Sequence, residues 1–258
     1  MNTPLRVIDT GLHSARWNIA LSAALAELHL DGAIGDTLRL HRYRPSVLLG
    51  RHQVLDRAVD RGLCARKNIE IARRITGGGA VYMAPGVLAW DLVISRKVTG
   101  TLEEVSAKIC GAIATALAGF GFAARIRPPG DVMVGEQKVS GSAGWHDGGS
   151  LIHQGTVLID ADLEEMAQVL RLSTDGNTPL PVMTLAEGPG PTPDFDSVAA
   201  AMIDAIAQAL GRRPAHGRLA TKEVDMASRL LAEEIGTQEF IEGETLSRSR
   251  PEPASLPT

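Results

Sequence analysis

Aromatic residues make up only 3% of the 258 positions, too few for the stacked rings on which single-stranded nucleic acid is bound. Excess basic charge is missing as well. Lysines and arginines number 26 against 30 aspartates and glutamates, a formal net charge of -4, so no nucleic-acid surface is signalled. Cys64 and Cys110 are the two cysteines, too few for a disulfide scaffold at this length, and neither has a cysteine or histidine at metal-ligand spacing. A reducing cytoplasm is the expected compartment. The start, Met1-Asn2-Thr3-Pro4-Leu5-Arg6, lacks the apolar run of a signal peptide, and no stretch reaches the length of a membrane span. Neither nucleic acid nor membrane is an expected partner. What is present is ordinary for a globular protein, 44% hydrophobic and 22% charged residues, with enough length for one large domain or two.

Periodicity places helices at 15–30, 56–67, 161–171, 196–210 and 222–234, and strands at 37–41, 46–49, 80–82, 87–94, 132–134, 137–140 and 151–159. The strands at 80–82 and 87–94 read as a pair joined through Ala84-Pro85-Gly86. The clearest helix begins at the capping-box pair Thr101 and Glu104, carries Val105, Ile109, Ile113 and Leu117 on one face, and stops at Gly119 and Gly121. Cys110 falls inside it and reads as a small core residue. The later helix at 196–210 takes Asp196 or Ser197 as its cap. Gly188-Pro189-Gly190-Pro191-Thr192-Pro193 is a loop. Several turns are too short for crossover helices, so the expected fold is α/β (α+β), a mixed sheet flanked by helices. Residues 1–246 are expected to form the folded unit, with a disordered Ser/Pro-rich tail at 247–258.

Two segments carry the chemistry. In Arg73-Arg74-Ile75-Thr76-Gly77-Gly78-Gly79-Ala80-Val81-Tyr82, three glycines let backbone N–H groups approach an anion with no Cβ in the way. The arginines add a guanidinium fork for a carboxylate or phosphate. A glycine-rich hairpin that merely relieves crowding fits the same letters, but the spacing matches neither the nucleoside-triphosphatase phosphate loop nor the dinucleotide fingerprint. In Gly135-Glu136-Gln137-Lys138-Val139-Ser140-Gly141-Ser142-Ala143, Lys138 can bring a point charge to the same anion, although a lone lysine is more often a solvated surface charge. Asp131 suits either a divalent cation beside phosphates or a turn after Pro128-Pro129-Gly130. His153 reads as a satisfied core histidine, and the Gly155-Thr156 step suggests backbone lying close to a ligand. No serine or cysteine nucleophile has a partnered histidine.

Taken in order, Pro45 to Gln53, Arg73 to Tyr82, Gly135 to Ala143 and His153-Gln154-Gly155-Thr156 resemble the catalytic domain of lipoate–protein ligases, in the biotin/lipoate ligase superfamily, over roughly residues 10 to 240. The resemblance implies a two-step reaction. Lipoate and ATP give lipoyl-adenylate and pyrophosphate, and the adenylate is then attacked by a lysine of a lipoyl-carrier domain, such as that of a 2-oxoacid dehydrogenase E2 or a glycine-cleavage H-like protein. It implies that Lys138 is catalytic, binding carboxylate and α-phosphate. Arg73, Arg74, Gly77, Gly78, Gly79 and Val81 would line the lipoyl and phosphate region. Tyr82, Ser142, Ala143, Gly155 and Thr156 would line the adenylate pocket, with Asp131 beside magnesium.

The chain departs from the pattern at Met83, where a histidine is usual, along Val87-Leu88-Ala89-Trp90-Asp91, before Asp131, and in the short stretch from Ser173 to Leu185. No C-terminal accessory domain of the kind many ligases carry is expected, and a separate small subunit is expected to supply that part. Two alternatives stay open. One is an octanoyl or lipoyl transferase that works without ATP through a cysteine near the lysine segment, where neither Cys64 nor Cys110 is placed. The other is a weakly catalytic module that binds lipoyl carriers.

Overall fold

The computed structural model describes residues 4–95, 101–147, 149–171 and 181–243. The expected tail at 247–258 and most of the shortened stretch after Ser173 lie outside these residues. In chain order the elements are β1 (Pro4–His13), α1 (Ala15–Leu30), β2 (Thr37–Tyr43), β3 (Ser46–Leu49), α2 (Leu55–Ala58), α3 (Arg61–Lys67), β4 (Glu70–Arg73), β5 (Val81–Met83) and β6 (Val87–Ser95). There follow α4 (Leu102–Ala118), β7 (Ala124–Arg127), β8 (Asp131–Val134), β9 (Gln137–Asp147), β10 (Ser150–Leu158), α5 (Leu163–Val169), α6 (Phe195–Ala209), β11 (Arg213–His216), α7 (Thr221–Leu230) and α8 (Gln238–Glu242). Among the described residues no helix is long and apolar enough to cross a membrane.

The strands form an eight-stranded mixed sheet in the order β11-β1-β2-β6-β10-β9-β8-β7 and a three-stranded sheet in the order β4-β3-β5. This is the mixed sheet with flanking helices that the short turns predict. Strand β6 explains the layering. Leu88, Trp90, Leu92 and Ile94 join one core with Ile109, Ile113 and Leu117 of α4 and Met202 and Ile206 of α6. Ala89 and Val93 join another with Ile19, Ala24 and Leu25 of α1. A strand covered on both faces reads as a continuous apolar run, and Asp91 is the one charge in it.

The α4 capping box is present, with Thr101 Oγ1 accepting from the Glu104 amide and the Glu104 carboxylate accepting from the Thr101 amide. Elsewhere the structure corrects the reading. The helix at 56–67 is two, α2 and α3, because Val59 takes extended dihedrals and Asp60 caps the second by accepting from the Leu63 amide. Helix α6 is capped by Asp194, ahead of Asp196 and Ser197. Helix α7 ends at Leu230 and continues as a π-turn, Leu231–Ile235.

Strands β5 and β6 do not pair. β5 lies against β3 in the small sheet, and β6 lies between β2 and β10 in the large one. Gly86 makes the crossing possible. Its carbonyl accepts from the Ile159 and Asp160 amides, and a Cβ there would lie 1.6 Å from the Asp160 carbonyl oxygen.

Candidate active site

The cleft between the two sheets is built on one transverse row of the large sheet. His41 of β2 pairs with Ala89 of β6, Ala89 with Thr156 of β10, Thr156 with Gly141 of β9, and Gly141 with Asp131 of β8. Paired residues present their side chains on the same face. Arg39, Asp91, Gln154 and Ala143 form the next row on that face. The small sheet roofs these rows with Leu48, Val81 and Met83, and the glycine loop brings Arg74, Thr76, Gly78 and Gly79 to the same cavity.

Lys138 is positioned by both backbone and side chain. Its amide donates to the Pro181 carbonyl at 2.8 Å, and its carbonyl accepts from the Met183 amide at 3.0 Å. Its side chain passes directly over Gly141, where a Cβ would lie 2.5 Å from Cε and 2.6 Å from Nζ. Nζ reaches Asp131 Oδ1 at 2.6 Å, leaving the lysine side chain 32% exposed, so a ligand can reach the ammonium group. Lys138, Gly78, Gly79, Ser142, Ala143, Gly155 and Thr156 share one cavity, a convergence that the four sequence motifs predict.

Arg73 and Gly77 are corrections. Arg73 is wholly buried, and its guanidinium donates to the carbonyls of Gly50, Arg51 and Gln53 on one side and Phe240 and Ile241 on the other. With its donors spent on main-chain oxygens it ties the turn after β3 to α8, away from any ligand. Gly77 does not line the cavity, and its carbonyl accepts from Arg74 Nη2 at 2.9 Å.

Arg74 does line the cavity. It also holds the loop by donating to the carbonyls of Leu48, Gly77 and Gly79, and burial pulls its guanidinium down to about 10. The loop passes so close to the preceding turn that a Cβ on Gly50 would lie 1.9 Å from the Gly78 carbonyl oxygen. Gly78 takes φ +92°, the left-handed region that favours glycine.

Ser142 is fixed from three directions. Its hydroxyl donates to the Gly130 carbonyl at 2.8 Å, so Nε2–H of His153 is the donor in the 3.0 Å contact with Ser142 Oγ. Cys110 Sγ lies 3.6 Å from the same oxygen. Burial drives His153 down to about 4, so the ring is neutral at pH 7, and burial pushes the Cys110 thiol up. Cys110 is buried and does not line the cavity, so it is not a poised thiolate.

A second cavity meets the first at Val81, Lys138, Gly141 and Thr156. Its walls are Tyr82, Leu158, Leu163, Met166, Leu170 and Val182, and Tyr82 is held there by its hydroxyl bond to Glu165. The first chamber measures about 160 Å³ and the second about 610 Å³. Asp131 stands at the junction, bonded to Lys138. Among the described residues no cluster of three or more histidine, cysteine, aspartate or glutamate side chains is arranged for a metal.

The buried polar end of the first chamber is what sequence reasoning missed. Arg39 is fully buried and reaches Asp91 Oδ2 at 3.0 Å, with further bonds to Thr10, Asn18 and Ser22. Asp91 Oδ1 accepts from Gln154 Nε2 at 2.6 Å, and Gln154 Oε1 accepts from Thr76 at 3.1 Å. Burial opposes the Asp91 charge, but the Arg39 guanidinium and the hydrogen bonds from Ser22 and Gln154 outweigh it and hold the carboxyl below its usual range. The available signal was Arg39, His41 and Tyr43 at alternate positions of β2, with Leu38 and Leu40 between them.

Residues 14–207 match the lipoyl protein ligase A/B catalytic domain family. The chain belongs to that family. It is 26% identical over 266 residues to octanoyltransferase LipM of Kyrpidia tusciae, covering 90% of this chain and 97% of that one. Over 221 residues it is 27% identical to lipoate-protein ligase A subunit 1 of Thermoplasma acidophilum, covering 79% and 83%. The structure of a bi-partite archaeal lipoate protein ligase from Thermoplasma acidophilum superposes with a TM-score of 0.84 at 25% identity, covering 93% of this chain and 97% of the other. The protein is therefore an enzyme of the family that holds both lipoate ligases and octanoyltransferases.

Proposed function

We propose that the chain is the ATP-dependent member of this pair, a lipoate–protein ligase that makes lipoyl-adenylate and passes the lipoyl group to a lysine of a carrier domain. The observation that carries this reading is the meeting of two chambers at the single ammonium of Lys138. Adenylation joins two anions. A carboxylate oxygen attacks the α-phosphorus, the bond to the β-phosphate oxygen breaks, and pyrophosphate leaves. A fixed cation at the junction offsets the charge that builds there, and two chambers hold the reactants at the angle of attack.

In this reading the acyl chain occupies the slim chamber between the sheets and the adenine the larger apolar one, against Tyr82, Leu163 and Met166. Gly78 and Gly79 border the phosphates on the loop that Arg74 holds, and Ser142, Ala143, Gly155 and Thr156 line the adenylate. Magnesium would rest on Asp131 together with the nucleotide phosphates, since this ion is held by one or two carboxylates plus phosphate oxygens. The carrier's lysine amine then attacks the acyl carbon and AMP departs.

The transferase reading needs a thiolate at the acyl carbon, and buried Cys110 with its raised thiol supports that poorly. Residues 1–246 act as the catalytic unit in a cytoplasmic setting. The likeness to one subunit of a bi-partite ligase supports a separate accessory subunit, and the E2 lipoyl domain named beside that ligase supports a lipoyl domain as acceptor. Lipoate-dependent ATP–pyrophosphate exchange is the test. Exchange is expected, whereas acyl transfer to a carrier without ATP would establish the transferase instead.

A further inference from the structure

The inner end of the first chamber is more polar than an alkyl chain requires. His41, Tyr43, Asp91 and Gln154 all line it. Asp91 and Gln154 satisfy each other and their neighbours Arg39, Ser22 and Thr76. His41 differs. It is 1% exposed, its Nε2 lies 3.2 Å from the Tyr43 hydroxyl, and its Nδ1 has no hydrogen-bond partner. Nδ1 is a polar atom in either tautomer, an acceptor when Nε2 carries the proton and a donor when it does not. Burial holds the ring down at about 3, so it is neutral at pH 7. A buried ring nitrogen without a partner is costly unless a ligand or a water supplies one.

The position of His41 says which part of a ligand would meet it. His41 and Gly141 lie on one transverse row with Ala89 and Thr156 between them, and Lys138 covers Gly141. Three strand spacings separate the two ends, about 14 Å. A carboxylate at Lys138 therefore directs its far end toward His41 along the floor of the chamber.

We propose that this chamber selects carboxylic acids whose far end carries a heteroatom able to hydrogen-bond over alkyl acids of the same length, with His41 as the residue that reads that end. The proposal rests on the reading of Lys138 as the carboxylate-binding group. It favours lipoate, whose ring sulfurs are weak acceptors, over octanoate, which ends in a methyl group.

The test is equilibrium binding of octanoate and 8-hydroxyoctanoate to the full chain by calorimetry, with lipoate as reference and ATP–pyrophosphate exchange measured alongside. An apolar blind end would penalise the added hydroxyl, so a preference for it is diagnostic. The hydroxy acid is expected to bind about tenfold more tightly than octanoate, a site built to hydrogen-bond a substrate group rejecting the analogue without it. In His41→Leu the ratio should fall to about one or invert, as expected when the polar partner is removed. Equal binding of the two acids by the natural chain, or an unchanged ratio in His41→Leu, overturns the proposal and leaves the ligase reading standing. Selective binding without exchange supports the selectivity and sinks the ligase reading, and binding of no acid overturns both. The comparison on the natural chain decides the matter even where His41→Leu fails to fold.

Discussion

The chamber under the three-stranded sheet ends on His41, Tyr43 and the Asp91–Gln154 hydrogen bond, whereas the chamber beside α5 is walled by Leu158, Leu163, Met166 and Leu170. Both open onto the same lysine. The first is shaped by side chains from the centre of the large sheet, whose strands are locked by neighbours on both sides. The second is shaped by a helix and by the segment at 181–183 that pairs with Lys138. Polar groups are thus placed where the scaffold is most constrained, and apolar volume where one helix sets the wall.

If the lysine is what the two chambers have in common, removing it should cost more activity than altering either one. Lys138→Ala is expected to lower lipoate-dependent ATP–pyrophosphate exchange by about 10²–10³, the loss typical of one preorganised charged or hydrogen-bonding group. Denaturation should show little change, because the side chain is 32% exposed. Retained exchange in that variant would remove the basis for the assignment.

Asp91→Ala probes the polar chamber through stability. It leaves Arg39 charged and fully buried without its carboxylate, and breaking such a pair costs about 3–5 kcal/mol. Urea denaturation reads this directly, and a loss below about 1 kcal/mol, the range of exposed pairs, would show that Arg39 is already satisfied by Thr10, Asn18 and Ser22. Met166→Trp probes the apolar chamber. Overfilling typically costs 1–3 kcal/mol, so KM for ATP should rise by about tenfold while binding of the acid, measured without nucleotide, stays the same. A matching loss of acid affinity would mean that the two chambers are not separate.

A further expected effect is on pH dependence. His41 and His153 are held down at about 3 and about 4 against an ordinary value of 6.5. The unfolded chain therefore takes up protons that the folded chain refuses as pH falls below 6.5. Their contribution to stability is complete above 6.5 and is lost as pH falls toward those values. Thermal midpoints between pH 7 and pH 4 should drop less steeply in His153→Phe than in the natural chain, and parallel slopes would show that His153 is not the group titrating.

Much of the fold is legible because local signals agree with the packing. Helix α4 has its capping box and an apolar face, and α1 runs from Ala15 to Leu30 where periodicity puts it. Strand β1 escapes such reading, since exposed positions at both ends and a register shift between Asp9 and Leu12 hide its pattern. β11 is an edge strand of four exposed residues. The pairing of β5 with β3 depends on contacts far along the chain, about which Ala84-Pro85-Gly86 carries no information.

At the site, Lys138 and the glycine loop are visible because their types and spacing are rare in combination. Arg73 and Arg74 are adjacent and chemically identical, yet Arg73, the last residue of β4, donates to the carbonyls of the turn after β3 and of α8, whereas Arg74, just past the strand, donates to those of Leu48, Gly77 and Gly79 and lines the cavity. His41 is legible only once β2 is known to lie beside β6, with its odd-numbered positions facing the cleft.

Gly141 gives the lysine a precise address. Any larger residue there would displace the ammonium without altering its charge, so Gly141→Ala separates having a cation from having it in the right place. The location of the ammonium group is written into a residue that bears no functional group at all.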